Sequence, residues 1–481
     1  MSETIPHWLT KQAFLAPNKT AIELENGDTI SFLELKERSM RFAKQLAQTG
    51  ISKGDHVGIL STNNVSMVVA IHSLSYLGAV SVMLNTRLTK QELDYQVRDA
   101  DVTTVLTSEQ FKEINFSIPV KSFFEIEQYL EKPIKLQSVM NLEDTFTIIY
   151  TSGTTGFPKG VIHTIGNHWW SSIGSALNLG LDHKDKWLAV LPIFHVGGLS
   201  IFIRSVIYGI PVYLVEKFDE KVVHEAILTK GVTIVSVVTV MLHRLGEYLG
   251  DNRYPDSFRC MLLGGGPAPK PLLEKAKVQH IPVFQSYGMT ETSSQIVTLS
   301  PSDALEKLGS SGKPLFPAQL KIDGPKGDIG EIMVKGAMVT SGYYKNPKAT
   351  DIAITDGWLS TGDLGFEDKD GFLYVVDRRK DLIISGGENV YPSEIESVLM
   401  EMEGINEVGV VGRKDNLWGQ VPVAFIVLKD RSVYQDDILV FAEKRLAKYK
   451  IPKQIFFVDE LPRNASNKLV RAKLENMLDK K

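Results

Sequence analysis

Tyr150-Thr151-Ser152-Gly153-Thr154-Thr155-Gly156-Phe157-Pro158-Lys159-Gly160 is the stretch on which the reading of this chain turns. It follows an apolar run, Phe146–Tyr150, that reads as a buried strand. Glycines let backbone amides converge on an anion, the small hydroxyls add donors, and Lys159 adds charge near a bound phosphate. The spacing is not that of a Walker A loop, because Pro158 stands where the second glycine of that motif belongs. On composition alone the segment also reads as a solvated Ser/Thr/Gly turn.

Helices and strands alternate on both sides of this loop. Upstream, Ser31–Gln48 has helical periodicity, Val57–Leu60 is a short apolar run, Gln91–Asp99 reads as a helix and Thr103–Leu106 as a strand. Val65 to Leu84 carries no acidic or basic residue, yet it holds His72, four serines and Gly78. It reads as a buried helix and a short strand, not as a membrane span. Downstream, Trp187–Leu191, Val212–Val215 and Thr233–Val238 read as further strands, which predicts mostly parallel sheets covered by helices. Around 309–375 short strands and Asp-Gly turns suggest a small antiparallel or barrel-like region. From about 381 a compact α+β unit follows, with a helix at Ser393–Met400, strands at Val408–Val411 and Val423–Leu428, and a basic helix at Asp436–Tyr449.

The chain has 481 residues, long enough for a large and a small domain. Lys and Arg number 53 against 57 Asp and Glu, a net charge of −4 that gives no footprint for nucleic acid or an anionic membrane. The lone cysteine, Cys260, allows no internal disulfide and fits a reducing, cytoplasmic location. The N-terminus lacks the pattern of a signal peptide.

Five more segments carry chemistry. Leu263-Gly264-Gly265-Gly266-Pro267 lets a flat ligand approach the backbone, or is a plain strand-to-helix turn. In Gln285-Ser286-Tyr287-Gly288-Met289-Thr290-Glu291, Tyr287 suits stacking on a base, and Glu291 suits Mg²⁺, a hard cation that prefers carboxylates and phosphates. Their plain alternatives are core packing and a solvated carboxylate. Ser360-Thr361-Gly362-Asp363 places a carboxylate in a tight loop, as many turns do. Asp377-Arg378-Arg379-Lys380-Asp381 leads into Leu382-Ile383-Ile384-Ser385-Gly386-Gly387-Glu388-Asn389, which is either a functional hinge or a solvated linker. Leu461-Pro462-Arg463-Asn464-Ala465-Ser466-Asn467-Lys468 ends in a lysine that by itself reads as solvated.

In this order, the six segments resemble the acyl-adenylate-forming superfamily of acyl-CoA synthetases, adenylation domains and luciferases, over essentially the whole chain. Phe157 departs from the basic residue common in that family's phosphate loop. The resemblance implies an α/β fold. A large N-terminal domain (1–379) of doubly wound sheets plus a small β-barrel would be followed by a smaller, mobile α+β lid (380–481). It implies ATP, Mg²⁺ and coenzyme A as reactants. Gly166-Asn167-His168, Ser175–Gly180, Ser294–Pro301 and Leu446–Pro452 are similar to the branch that activates o-succinylbenzoate for menaquinone biosynthesis.

The resemblance also distributes roles. Lys468 would contact the substrate carboxylate and the α-phosphate. Thr151, Ser152, Gly153, Thr154 and Thr155, with Lys159, would cradle the phosphates. Glu291, with Thr154, would hold Mg²⁺. Tyr287 and Gly264-Gly265-Gly266-Pro267 would sandwich the adenine, flanked by Ser286, Gly288, Met289 and Thr290. Asp363 and Arg378 would bind the ribose, and Lys380 would be the hinge. Ser385, Gly386, Gly387 and Glu388 would line the coenzyme A channel. His195 would sit near the reacting carboxylate, and Thr239, Ser293 and Ser294 would complete the acyl pocket. No arginine stands out as counter-ion for a second substrate carboxylate, which favours hydrogen bonds there or a different acid. A synthetase for another acid, an enzyme loading a separate carrier protein and an inactive sensor remain alternatives. A homo-oligomer is a family-level expectation.

Overall fold

A computed structural model describes residues 3–151, 158–265, 270–304, 306–325, 327–377, 382–429, 433–462 and 469–478. Two large sheets dominate. The first has six strands in the order Lys159–Thr164, Thr145–Thr151, Val80–Leu84, His56–Leu60, Val102–Thr107, Val120–Ser122. All its pairings are parallel except that of Lys159–Thr164 with Thr145–Thr151, the two strands that flank the quoted loop. The second has nine strands, with a parallel centre formed by Val283–Met289, Cys260–Gly264, Ile234–Val238, Trp187–Ala189, Val212–Leu214 and Thr20–Leu24.

The segment without charges, Val65–Leu77, is a helix that Asn64 caps by accepting the Met67 N–H. Gly78 ends it in the left-handed region at φ 73°, where glycine carries no Cβ penalty. From Met67 to Leu77 every residue is buried, within the same core cluster as the apolar helix Val196–Tyr208. That burial accounts for its hydropathy: among the described residues no helix is long and apolar enough to cross a membrane.

The turn-rich stretch forms a five-stranded antiparallel sheet containing Ala318–Asp323, Gly330–Gly336, Ile354–Thr355, Trp358–Glu367 and Leu373–Asp377. The last sheet builds the C-terminal unit: Glu388–Val390, Ile383–Ser385, Gly419–Leu428 and Ile405–Asp415 are antiparallel, and Gln454–Phe457 joins Gly419–Leu428 in parallel. Its core, including Val390, Ile395, Val410, Ile426 and Leu446, is separate from those of the large sheets.

One element differs from the sequence reading. The basic helix expected over 436–449 spans Gln435–Glu443, and the chain then turns into a short 3₁₀ segment, Lys448–Lys450. The turn sends Leu446 and Ala447 into the core and Lys450 into a buried interface. A continued helix would meet Pro452, which pushes the residue before it into extended conformation; Ile451 is extended.

Candidate active site

In open parallel sheets, ligands bind beyond the carboxyl ends of the strands. A cavity of about 290 Å³ lies there. Met83, Asn85, Arg87, Tyr150, Thr151 and Pro158 reach it from the first sheet. The second sheet contributes Leu191, Pro192, residues 194–198 and 236–238, Gly264, Gly265, Ser286, residues 288–290, Ser294 and Gln295. Gly386–Asn389, Tyr391, Tyr449 and Lys450 close it from the C-terminal unit. Segments far apart in sequence thus meet at one place.

His195 stands at the N-cap position of the helix Val196–Tyr208, with its side chain free of any capping hydrogen bond. The turn before it is tight: a Cβ on Gly198 would lie 2.2 Å from the Pro192 carbonyl oxygen. His195 Nε2 lies 3.2 Å from Glu388 Oε2, and Arg87 pairs with the same carboxylate. Burial opposes the Glu388 charge, but His195, then Arg87 and Lys450, outweigh it and hold the carboxyl down at about 2. Gly386 and Gly387 both have positive φ, 59° and 88°, and an added Cβ on Gly387 would lie 3.2 Å from Val238 Cγ2. The loop expected to line a thiol channel therefore faces the strand ends directly.

The nucleotide-side residues are held by second contacts. Tyr287 is buried, with its hydroxyl donating to Asp363 Oδ2 at 2.8 Å, which ties the base candidate to the ribose candidate. Its ring packs with Ile296, Val297 and Leu373, while Ser286, Gly288, Met289 and Thr290 face the cavity. Ser286 Oγ donates to the Leu263 carbonyl at 2.9 Å, linking the glycine turn to this strand. Glu291 Oε1 accepts the Tyr343 hydroxyl at 2.9 Å, and the Lys159 ammonium lies 5.2 Å from the same Tyr343 ring. Among the described residues no group of three His, Cys, Asp or Glu side chains could hold a metal. A single carboxylate at Glu291 suits Mg²⁺ bound chiefly by substrate phosphates. Ser152, Gly153, Thr154, Thr155, Gly266, Pro267, Arg378, Lys380 and Lys468 lie outside the described residues.

The acyl side differs from expectation. Ser294 borders the cavity, but the Ser293 hydroxyl donates to the Met338 carbonyl at 2.8 Å. Thr239 does not border the cavity, whose wall there is formed by Val238 and Met241. The sequence reading singles out no arginine here, yet Arg204 borders the cavity. It is the one charged residue of the helix Val196–Tyr208, it is 1% exposed, and it borders the cavity with Gly197 and Ser200 at helical spacing. Its Nη2 reaches Ser171 Oγ at 3.3 Å, its guanidinium lies 5.6 Å from the Trp187 ring, and its Nε has no partner. Among the described residues no carboxylate pairs with it. Burial pulls its pKa down, but a guanidinium stays charged, so the cavity holds a cation suited to an incoming anion. A lone arginine in an apolar helix was the available signal.

Residues 9–344 match the AMP-binding enzyme family, and 394–468 match the AMP-binding enzyme C-terminal domain. The chain is 58% identical over 479 residues to the 2-succinylbenzoate–CoA ligase of Oceanobacillus iheyensis, across 98% of this chain and 100% of that protein. A double mutant of the o-succinylbenzoate CoA synthetase of Bacillus subtilis, bound to the product analogue OSB-NCoA, overlays with a TM-score of 0.96 at 46% identity, covering 98% of each chain. The same Bacillus subtilis enzyme with its acyl-adenylate intermediate OSB-AMP gives 0.78 at the same identity and coverage. With ATP and magnesium ion it also gives 0.78, at 46% identity, over 98% of this chain and 100% of that one.

Proposed function

This chain belongs to the AMP-binding enzyme family, and from that premise we propose that it is an ATP-dependent acid–thiol ligase acting on 2-succinylbenzoate in menaquinone biosynthesis, in the cytoplasm. The reaction has two halves. The substrate carboxylate attacks the α-phosphorus of ATP, forming acyl-adenylate and releasing pyrophosphate. The coenzyme A thiol then attacks the acyl carbonyl, and AMP leaves with the electrons of the acyl–oxygen bond. Activation is needed because a carboxylate is a poor electrophile.

The chain's residues divide this work. Thr151 and Lys159, with Ser152, Gly153, Thr154 and Thr155, hold the phosphates, and Glu291, with Thr154, holds Mg²⁺, which neutralises phosphate charge when bound. Gly264, Gly265, Gly266, Pro267 and Tyr287 position the adenine, and Asp363 and Arg378 the ribose. Lys468 stabilises charge at the α-phosphorus during the first half. The lid turns at Lys380, and Gly386–Asn389 with His195 then guide the thiol. The overlay on the product-analogue complex supports reading this structure as the arrangement for the second half.

The observation that carries the substrate assignment is Arg204. 2-Succinylbenzoate keeps one carboxylate after activation, and a buried anion needs a partner. The test is a mass-spectrometric end-point assay with MgATP, coenzyme A and, separately, 2-succinylbenzoate, benzoate, 4-coumarate and octanoate. A thioester with 2-succinylbenzoate alone, matched by AMP, is expected. A thioester with another acid in its place would keep the chemistry and sink the substrate.

A further inference from the structure

Lys450 is 3% exposed and lies between two carboxylates from different parts of the chain. Its Nζ is 2.7 Å from Glu92 Oε1, on the helix Lys90–Asp99 of the large unit, and 2.7 Å from Glu394 Oε1, on the lid helix Pro392–Met400. Desolvation works against its charge, but Glu394, Tyr449 and Glu92 more than reverse this, so the ammonium is held charged. The second oxygen of Glu394 is buried without a partner, and among the described residues Lys450 is the one cation that pairs with both acids.

The Glu92 side of this cage is rigid. Its other oxygen, Oε2, accepts the Thr89 N–H at 2.7 Å and the Thr89 hydroxyl at 2.8 Å, in a capping box that starts the helix. Thr89 Oγ1 is also 3.0 Å from the Arg445 carbonyl of the lid. Further along the same helix, Tyr95 donates to the Pro158 carbonyl at 3.1 Å, and Asp99 accepts the Tyr150 hydroxyl at 2.6 Å. One ten-residue helix therefore meets the lid at its start and grips both ends of the quoted loop along its length.

We propose that Lys450 is a positioning residue for the second half-reaction: its pairing with Glu92 pins the lid so that Gly386–Asn389 faces the reacting carbonyl, a role that rests on the two-step ligase reading above. The Lys450–Glu394 pair lies within the lid and survives any lid movement. The Lys450–Glu92 pair exists only while the lid sits as it does here. Its strength therefore counts toward one lid arrangement and not toward folding of either part.

Glu92→Gln tests this, because the glutamine carbonyl oxygen keeps the capping acceptor while its amide nitrogen, a donor, replaces the oxygen that pairs with Lys450. ATP–pyrophosphate exchange with 2-succinylbenzoate should stay within about twofold. Single-turnover thioester formation from pre-formed acyl-adenylate and coenzyme A should slow about tenfold, equivalent to ~1.4 kcal/mol of lost pairing. Lys450→Met should slow the same step, Lys450→Arg should recover part of it, and Glu92→Gln/Lys450→Met should be no slower than Lys450→Met alone. Equal loss in both half-reactions would overturn the proposal in favour of a purely structural role, as would an unchanged thioester rate. Absence of exchange in the unaltered protein would instead overturn the ligase reading itself.

Discussion

Replacing Arg204 by methionine keeps a long, flexible side chain in the helix Val196–Tyr208 but removes its only charge. In the protein without substrate, the guanidinium is 1% exposed, holds Ser171 through Nη2, leaves Nε unpaired and has no carboxylate partner among the described residues. Replacing a buried ionic group with an apolar one of similar volume is often neutral or stabilising by about 1–4 kcal/mol, so the melting temperature should not fall. With substrate the sign reverses. The second carboxylate of 2-succinylbenzoate would enter the cavity with no cation to meet it. Breaking a buried pair by removing one partner costs roughly 3–5 kcal/mol. Taking the lower end, at about 1.4 kcal/mol per tenfold, KM for 2-succinylbenzoate should rise on the order of 150-fold. Benzoate has no second carboxylate, so the pyrophosphate exchange it supports at high concentration, short of thioester, should change by no more than a few-fold. The assay is pyrophosphate exchange across a concentration series of each acid, beside a thermal melt. Equal losses for both acids would refute the argument, since Arg204 would then be supporting the cavity and not reading the substrate.

Three further outcomes follow from the same geometry. Gly387→Ala forces a Cβ to within 3.2 Å of Val238 at φ 88°, so thioester formation from pre-formed adenylate should drop about tenfold or more while adenylate formation falls much less; equal falls would count against the lid contact. Burial lowers the pKa of His7 to about 3 and of His72 and His163 to about 4, and lowers that of His168 as well, from an ordinary value of 6.5. The folded values are depressed, so this stability is present above pH 6.5 and is lost on acidification, because the unfolded chain takes up protons the folded one refuses. Each histidine costs about 1.4 kcal/mol by pH 5.5, roughly 5 kcal/mol together, and denaturant midpoints that do not move between pH 7.5 and 5.5 would contradict this. Cys260 is buried with its thiol pushed up to about 12, so a thiol reagent should label it only in denaturant; stoichiometric labelling of the native protein would show the strand Cys260–Gly264 to be more open than described.

What the sequence carries and what it hides divide along a physical line. The helix Val65–Leu77 and the strand Val80–Leu84 are legible because Gly78 marks the stop and because charges are absent from both. The glycine-bearing segments are legible because close backbone approach demands glycine, and the approaches at Gly387 and Gly288 are close: a Cβ on Gly288 would lie 2.2 Å from the Ser294 carbonyl oxygen. Arg204, Lys450 and Glu92 are not legible in the same way. Each is an ordinary charged residue whose meaning comes from burial, and burial is set by partners distant in sequence: Arg204 and Ser171 are separated by 33 residues, Glu92 and Lys450 by 358. The stretch Lys444–Lys450 shows why period alone misleads. Its lysines and arginine continue a basic helical face on paper, yet the chain leaves the helix at Glu443. Buried Lys450 must meet two acids on different units, and a straight helix running into Pro452 would not leave it there. Charges that read as surface in one dimension thus lie buried at a cavity wall or between two units, and half-reaction kinetics, more than sequence comparison, can separate their roles.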